Sequence, residues 1–155
     1  MIPVQHIHPM LVHFPIVLVF MLAAFDVVAS LRGFSVSGRT VAGNISTGLV
    51  VGSAMFAVAT YFFGGLALTH AENGGFHSDI AETHESLGEM VAILTTIYAV
   101  IRVGFWFKDY RISGITSYVF PVAALGFSAL VAATAYFGGQ LVYELGVNVA
   151  KIAMN

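Results

Sequence analysis

Residues 59–68 read ATYFFGGLAL, and residues 133–143 read ATAYFGGQLVY. Both carry Ala-Thr, an aromatic pair and Gly-Gly in one register, 74 residues apart. Each closes a long apolar run. The chain therefore reads as two copies of one helical hairpin. Copies with the same orientation are related by an axis along the membrane normal.

The rest of the sequence fits that reading. Of 155 residues, 58% are hydrophobic and 9% are charged. A soluble domain carries about 25% charged residues, so the solvent around this chain is lipid. A spanning helix needs about 20 mostly apolar residues. Four stretches qualify, at about 9–31, 43–68, 82–107 and 117–145. The breaks between them, RGFSVSGRT, THAENGGFHSDIAETHE and KDYRISG, are polar or Gly-rich. Short connections make neighbouring helices antiparallel. The expected fold is all-α: one domain over 1–155, an integral membrane up-down four-helix bundle built from two similar hairpins. Without cysteine there is no disulfide, thiolate metal site or thioether-linked haem. The net charge of −2 and the absence of a basic patch argue against nucleic acid as a partner. No positive segment of a cleavable signal precedes the first apolar run, so Met1 is expected to start the mature chain.

Basic residues orient a membrane protein. Arg32, Arg39, Arg102, Lys108 and Arg111 fall on one side, and Lys151 alone on the other. The basic side is expected to be cytoplasmic, with both termini and the middle loop periplasmic. All six histidines, His6, His8, His13, His70, His77 and His84, fall on the outer side. Glu72, Asp79, Glu82, Glu85, Glu89 and Glu144 join them there. Imidazole inside a bilayer is costly and marks function by default.

The repeat suggests how these imidazoles meet. His13 lies 51 residues before Gly64, and His84 lies 54 before Gly138. That makes His13 and His84 approximate symmetry mates on diagonal helices, able to face each other across the bundle axis. Gly64, Gly65, Gly138 and Gly139 are expected in the same layer, and Gly88 sits one turn after His84. Such a layer suits haem b, since bundle cores hold cofactors through side chains on facing helices. The expected axial ligands are His13 and His84, with Phe14, Phe62, Phe63 and Phe137 as walls. His8 and His77 form a candidate second pair, allowing one haem or two. A six-coordinate haem carries electrons and needs no catalytic residue. The alternative is a bare Zn, Cu or Fe ion held by His and carboxylate at the outer end, in an accessory protein with no redox role. The bland reading is also open: histidine as interhelical glue and glycine for close packing.

Other residues read structurally. Pro15 leaves a carbonyl near Leu11 unpaired and kinks the first helix. Asp26 pairs with Arg32 or Arg102 near the inner interface. Trp106, Tyr110 and Tyr118 fit an inner aromatic belt. No charged pair at midplane is evident, which counts against a transporter. No nucleophile–base pair suggests a hydrolase.

The segments HPMLVHFPIVL, THESLGEM and GGQLVYELGV together resemble a family of small bacterial four-helix membrane proteins, a domain of unknown function. The similarity covers nearly the whole chain, and its most specific part runs from His8 to Pro15. The resemblance implies the bacterial inner membrane. Some relatives look fused to cytochrome c-like domains, which implies electron transfer, and the matching histidines are His8, His13, His84 and His77. The combined expectation is a cytochrome b-like electron carrier in lipid. Its partners would be a periplasmic cytochrome c or the quinone pool, within a larger redox complex or a homo-oligomer.

Overall fold

The computed structural model describes residues 4–147 and residue 149. The elements are α1 (Val4–Leu11), α2 (His13–Leu31), α3 (Val41–Asn73), α4 (Asp79–Phe107), a 3-10 turn (Gly114–Tyr118) and α5 (Val119–Tyr143). With α1 and α2 as one interrupted rod, four helices are long and apolar enough to cross a membrane. In ring order α2 packs on α3 and α5, and α4 packs on the same two. Thus α2 and α4 are diagonal, as the hairpin repeat requires. Lys151, the one basic residue expected on the outer side, lies outside the described residues.

Helix boundaries follow local chemistry. Pro15 has no N–H to give the carbonyl of Leu11, and the helix breaks at Val12. The freed segment α1 leans on α3. Thr40 caps α3, its hydroxyl accepting from the Gly43 N–H at 2.8 Å. Ser78 caps α4 by accepting from the Ile80 N–H at 3.2 Å, with Asp79 and Glu82 in the first turn. The middle connection is therefore much shorter than its polarity suggests. His70 and Glu72 are on α3, and only residues 74–78 connect the two helices.

The inward face of α2 steps by four and three: Pro15, Val19, Leu22, Asp26 and Ala29 are all buried. Extended back, that stripe reaches Val12 and His8. On α4 the same stripe is His84, Gly88, Val91, Thr95, Tyr98 and Arg102, buried from Val91 onward. From His8 to Asp26 each residue of one stripe has its counterpart 76 positions along in the other, and the last of these pairs, Asp26 and Arg102, is in contact. One end of the pseudo-twofold stripe thus pairs two histidines, and the other pairs two opposite charges. Val19, Ala57, Val91, Ala92 and Val131 form an apolar layer between those ends.

At the charged end, both side chains of the ion pair are 0% exposed. Arg102 Nη1 donates to Asp26 Oδ2 at 3.1 Å and to the Tyr98 hydroxyl at 2.8 Å. Its Nη2 donates to the Val36 carbonyl at 2.6 Å and to Ser46 Oγ, which itself donates to Asp26. Phe120 lies 4.4 Å from the guanidinium. Of the two partners expected for Asp26, Arg102 is the one used. The pair is sealed from both lipid and water rather than placed at the interface.

The loops at this end are clipped together. The Arg39 N–H donates to Asp109 Oδ1 at 2.7 Å, and the Arg39 guanidinium donates to the carbonyls of Trp106 and Phe107. That N–H, followed by Arg111, holds the Asp109 carboxyl below the usual carboxylate range. A depressed folded-state pKa contributes stability above the unfolded value and loses it as pH falls through the folded value. Acidification below the ordinary carboxylate range is thus expected to loosen the clip between residues 39 and 109. Amide exchange at Arg39 checks this: protection falls with pH in the wild type, and Asp109→Asn removes that step.

Candidate histidine site

The histidine end is built twice from the same parts. His8 on α1 places Nδ1 2.9 Å from the Thr60 carbonyl on α3. His84 on α4 places Nδ1 2.9 Å from the Thr134 carbonyl on α5. A carbonyl can only accept, so each Nδ1 carries its proton and Nε2 is left as the basic nitrogen. Both carbonyls belong to helices, yet each accepts a second bond from a ring lying over the helix. Glycine permits this approach. Gly64 and Gly138 sit one turn after Thr60 and Thr134, beside the carbonyl each ring must reach. A Cβ on Gly64 would lie 2.9 Å from His8 Nδ1, and one on Gly138 would lie 2.9 Å from His84 Cε1. The repeated Ala-Thr…Gly-Gly segment is therefore a socket for an imidazole.

The two sockets face each other. The His8 and His84 ring centroids are 6.1 Å apart, with planes at 87°. Both line a cavity of about 350 Å³ at the histidine end. Every helix contributes to it: Pro9 from α1, Pro15 and Ile16 from α2, Ala57 and Tyr61 from α3, Glu85 and Val91 from α4, Val131 from α5. Phe76 and Val147 line it too, which sets one edge of the cavity at the end of the bundle.

This arrangement revises the expected pairing. His8, not His13, is the partner of His84. His13 is exposed, because it lies outside the inward stripe that runs through His8, Val12 and Pro15. His77 is also exposed, in the connection before the Ser78 cap, so it shares no helical face with His84 and forms no pair with His8. The expected walls differ as well. Phe14 and Phe62 are exposed, with Phe14 stacked on Phe56 at 4.5 Å, and the cavity is lined mainly by aliphatic residues and glycines with Tyr61 and Phe76. Gly64, Gly65, Gly88, Gly138 and Gly139 all line the cavity.

The resemblance noted in the sequence is matched by a comparison with protein families. Residues 5–151 fit the family described as "Predicted membrane protein (DUF2231)". The chain belongs to this family. No curated protein and no solved structure matches it. Family membership thus adds the membrane and leaves the chemistry to the histidine site itself. In this DUF2231 protein that site offers two imidazoles with a fixed tautomer and an apolar cavity between four helices. Among the described residues no group of three or more His, Cys, Asp or Glu is placed to hold a metal ion.

Proposed function

We propose that this protein is a membrane electron carrier that holds haem b between His8 and His84. The carrying observation is the matched pair of Nδ1–H···O=C bonds, 2.9 Å each, on rings 6.1 Å apart. A metal-ligating histidine characteristically gives its other ring N–H to a carbonyl or carboxylate, which fixes the ring and raises its basicity. His8 and His84, close across the cavity, would be the residues that hold the metal centre. They would be its two ligands, and among the described residues no group of three or more His, Cys, Asp or Glu converges. A macrocycle that brings four nitrogens of its own needs two, whereas a structural zinc ion takes four from the chain. This favours haem over a bare Zn, Cu or Fe ion.

In this reading the haem supplies reversible one-electron chemistry, and the protein does the rest. The Thr60 and Thr134 carbonyls orient the ligands, the glycines give them room, and the apolar layer below excludes water. Held by His8 and His84 together, a haem would supply electron transfer rather than oxygen activation. With the basic loops cytoplasmic, the site lies toward the periplasm of a bacterial inner membrane. There a periplasmic cytochrome c and the quinone pool are suitable partners, whether the protein works alone, as a homo-oligomer or within a larger complex.

Absorption spectroscopy of the detergent-purified protein tests the reading. A Soret band with sharp reduced-state bands is expected. His8→Ala and His84→Ala should each lose the six-coordinate spectrum, while His13→Ala and His77→Ala keep it. A protein purified from haem-replete cells that shows no Soret band, or His8 and His84 variants with unchanged spectra, would defeat it. Stoichiometric metal without a haem spectrum would support the ion site in its place.

A further inference from the structure

We propose that the charged end carries a binding site for one anionic phospholipid, with its phosphate at Lys108 and an acyl chain against Ile101 and Gly104. Lys108 follows directly on Phe107, the last residue of a candidate span. It therefore stands where a headgroup phosphate lies. Beside it is a shallow, open groove of about 380 Å³ lined by Ile101, Gly104, Phe105, Lys108 and Tyr110. Ile101, Gly104, Phe105 and Lys108 recur at helical spacing, so the groove runs along one face of α4 toward the bilayer interior. A Cβ on Gly104 would meet nothing within 4 Å, so the groove floor is open there. The Tyr110 ring stacks on Phe105 at 5.7 Å and lines the groove beside it.

Charge selects the occupant. Four cations at this end, Arg32, Arg39, Lys108 and Arg111, stand against one exposed carboxylate, Asp109. Arg39 is committed to the carbonyls of Trp106 and Phe107, and Arg111 pairs with Asp109 at 3.3 Å. Lys108 has no ion-pair partner among the described residues. An unpaired ammonium next to an apolar groove at the membrane edge matches the phosphate-plus-chain chemistry of an anionic lipid.

Native mass spectrometry of the full chain in non-ionic detergent tests the site. The probes are phosphatidylglycerol and phosphatidylcholine of equal chain length, with inorganic phosphate as a third arm. Phosphatidylglycerol is expected to be retained about five-fold over phosphatidylcholine, the ratio that one interfacial cation confers. Lys108→Gln should bring the ratio to one and Lys108→Arg should keep it. Gly104→Leu should reduce retention of both lipids. Arg32→Gln, which removes a cation outside the groove, should change nothing. Equal retention of the two lipids by the wild type overturns the proposal. So does an unchanged ratio in Lys108→Gln, an equal drop in Arg32→Gln, or inorganic phosphate binding as well as the lipid.

Discussion

Arg102→Met is expected to destabilise the bundle by about 3–5 kcal/mol, the usual cost of removing one partner from a buried ion pair. The reason lies in what is left behind. Asp26 is 0% exposed and keeps only Ser46 as a partner once the guanidinium is gone. The Val36 carbonyl loses its donor, one of the bonds that tie the first loop to α4. The Tyr98 hydroxyl loses the donor it accepts from and keeps only the Phe120 carbonyl, at 3.4 Å. Neither lipid nor water reaches the site to replace them. The companion variant Asp26→Leu/Arg102→Met removes both charges and is expected to recover most of the loss, because a packed apolar pair is often as stable as a buried ionic one. Reversible unfolding in mixed micelles measures both. A single variant costing under ~1 kcal/mol, or a double variant no better than the single, would show that the pair is not what closes this end.

The same pair shows what can and cannot be read from one chain. Composition and run length establish the spans, because lipid imposes its demands on every residue of a helix at once. The hairpin repeat was legible because Thr60/Thr134 and Gly64/Gly138 kept their identities. Its first half is harder, because the mates there diverge: Val12 corresponds to Gly88, Val19 to Thr95, and Asp26 to Arg102. His8 and His84 apart, the two inward stripes share no residue to align on, and His13 also lies near His84's register. The distinguishing signal was the inward stripe. Steps of four and three back from Asp26 pass through Leu22, Val19, Pro15 and Val12 to His8, and miss His13 altogether. The break at Val12 was foreseeable from Pro15, but the lean of α1 onto α3 was not. It depends on packing between segments some fifty residues apart, such as His8 and Thr60. The depth of Asp26 was equally hidden. Its distance from the helix end suggested an interface, and only the first loop folding over it, through Val36, makes it dry.

Glycine substitutions at the histidine end are expected to divide by a single residue. Gly64→Ala and Gly138→Ala should each destabilise by roughly 1–3 kcal/mol, the cost of overpacking a filled site. Gly65→Ala and Gly139→Ala should be neutral or stabilising by up to ~1 kcal/mol, since alanine is the better helix former. The first pair would place a methyl 2.9 Å from a histidine ring atom. Neither ring can slide aside without leaving its carbonyl and giving up a hydrogen bond worth about 1 kcal/mol. The second pair has room: a Cβ on Gly65 reaches only Glu85, at 3.9 Å, and one on Gly139 meets nothing. Helix propensity predicts the same gain at all four positions, so opposite signs within each Gly-Gly pair can come only from the imidazole overhead. Thermal unfolding in detergent gives the sign. Histidine ¹⁵N spectra give the cause, because the Nδ1–H tautomer of His8 should disappear in Gly64→Ala and persist in Gly65→Ala. Four variants of like stability and unchanged tautomers would mean that the rings do not rest on Thr60 and Thr134. The haem reading would then lose its support, since both proposed ligands owe their orientation to those two carbonyls.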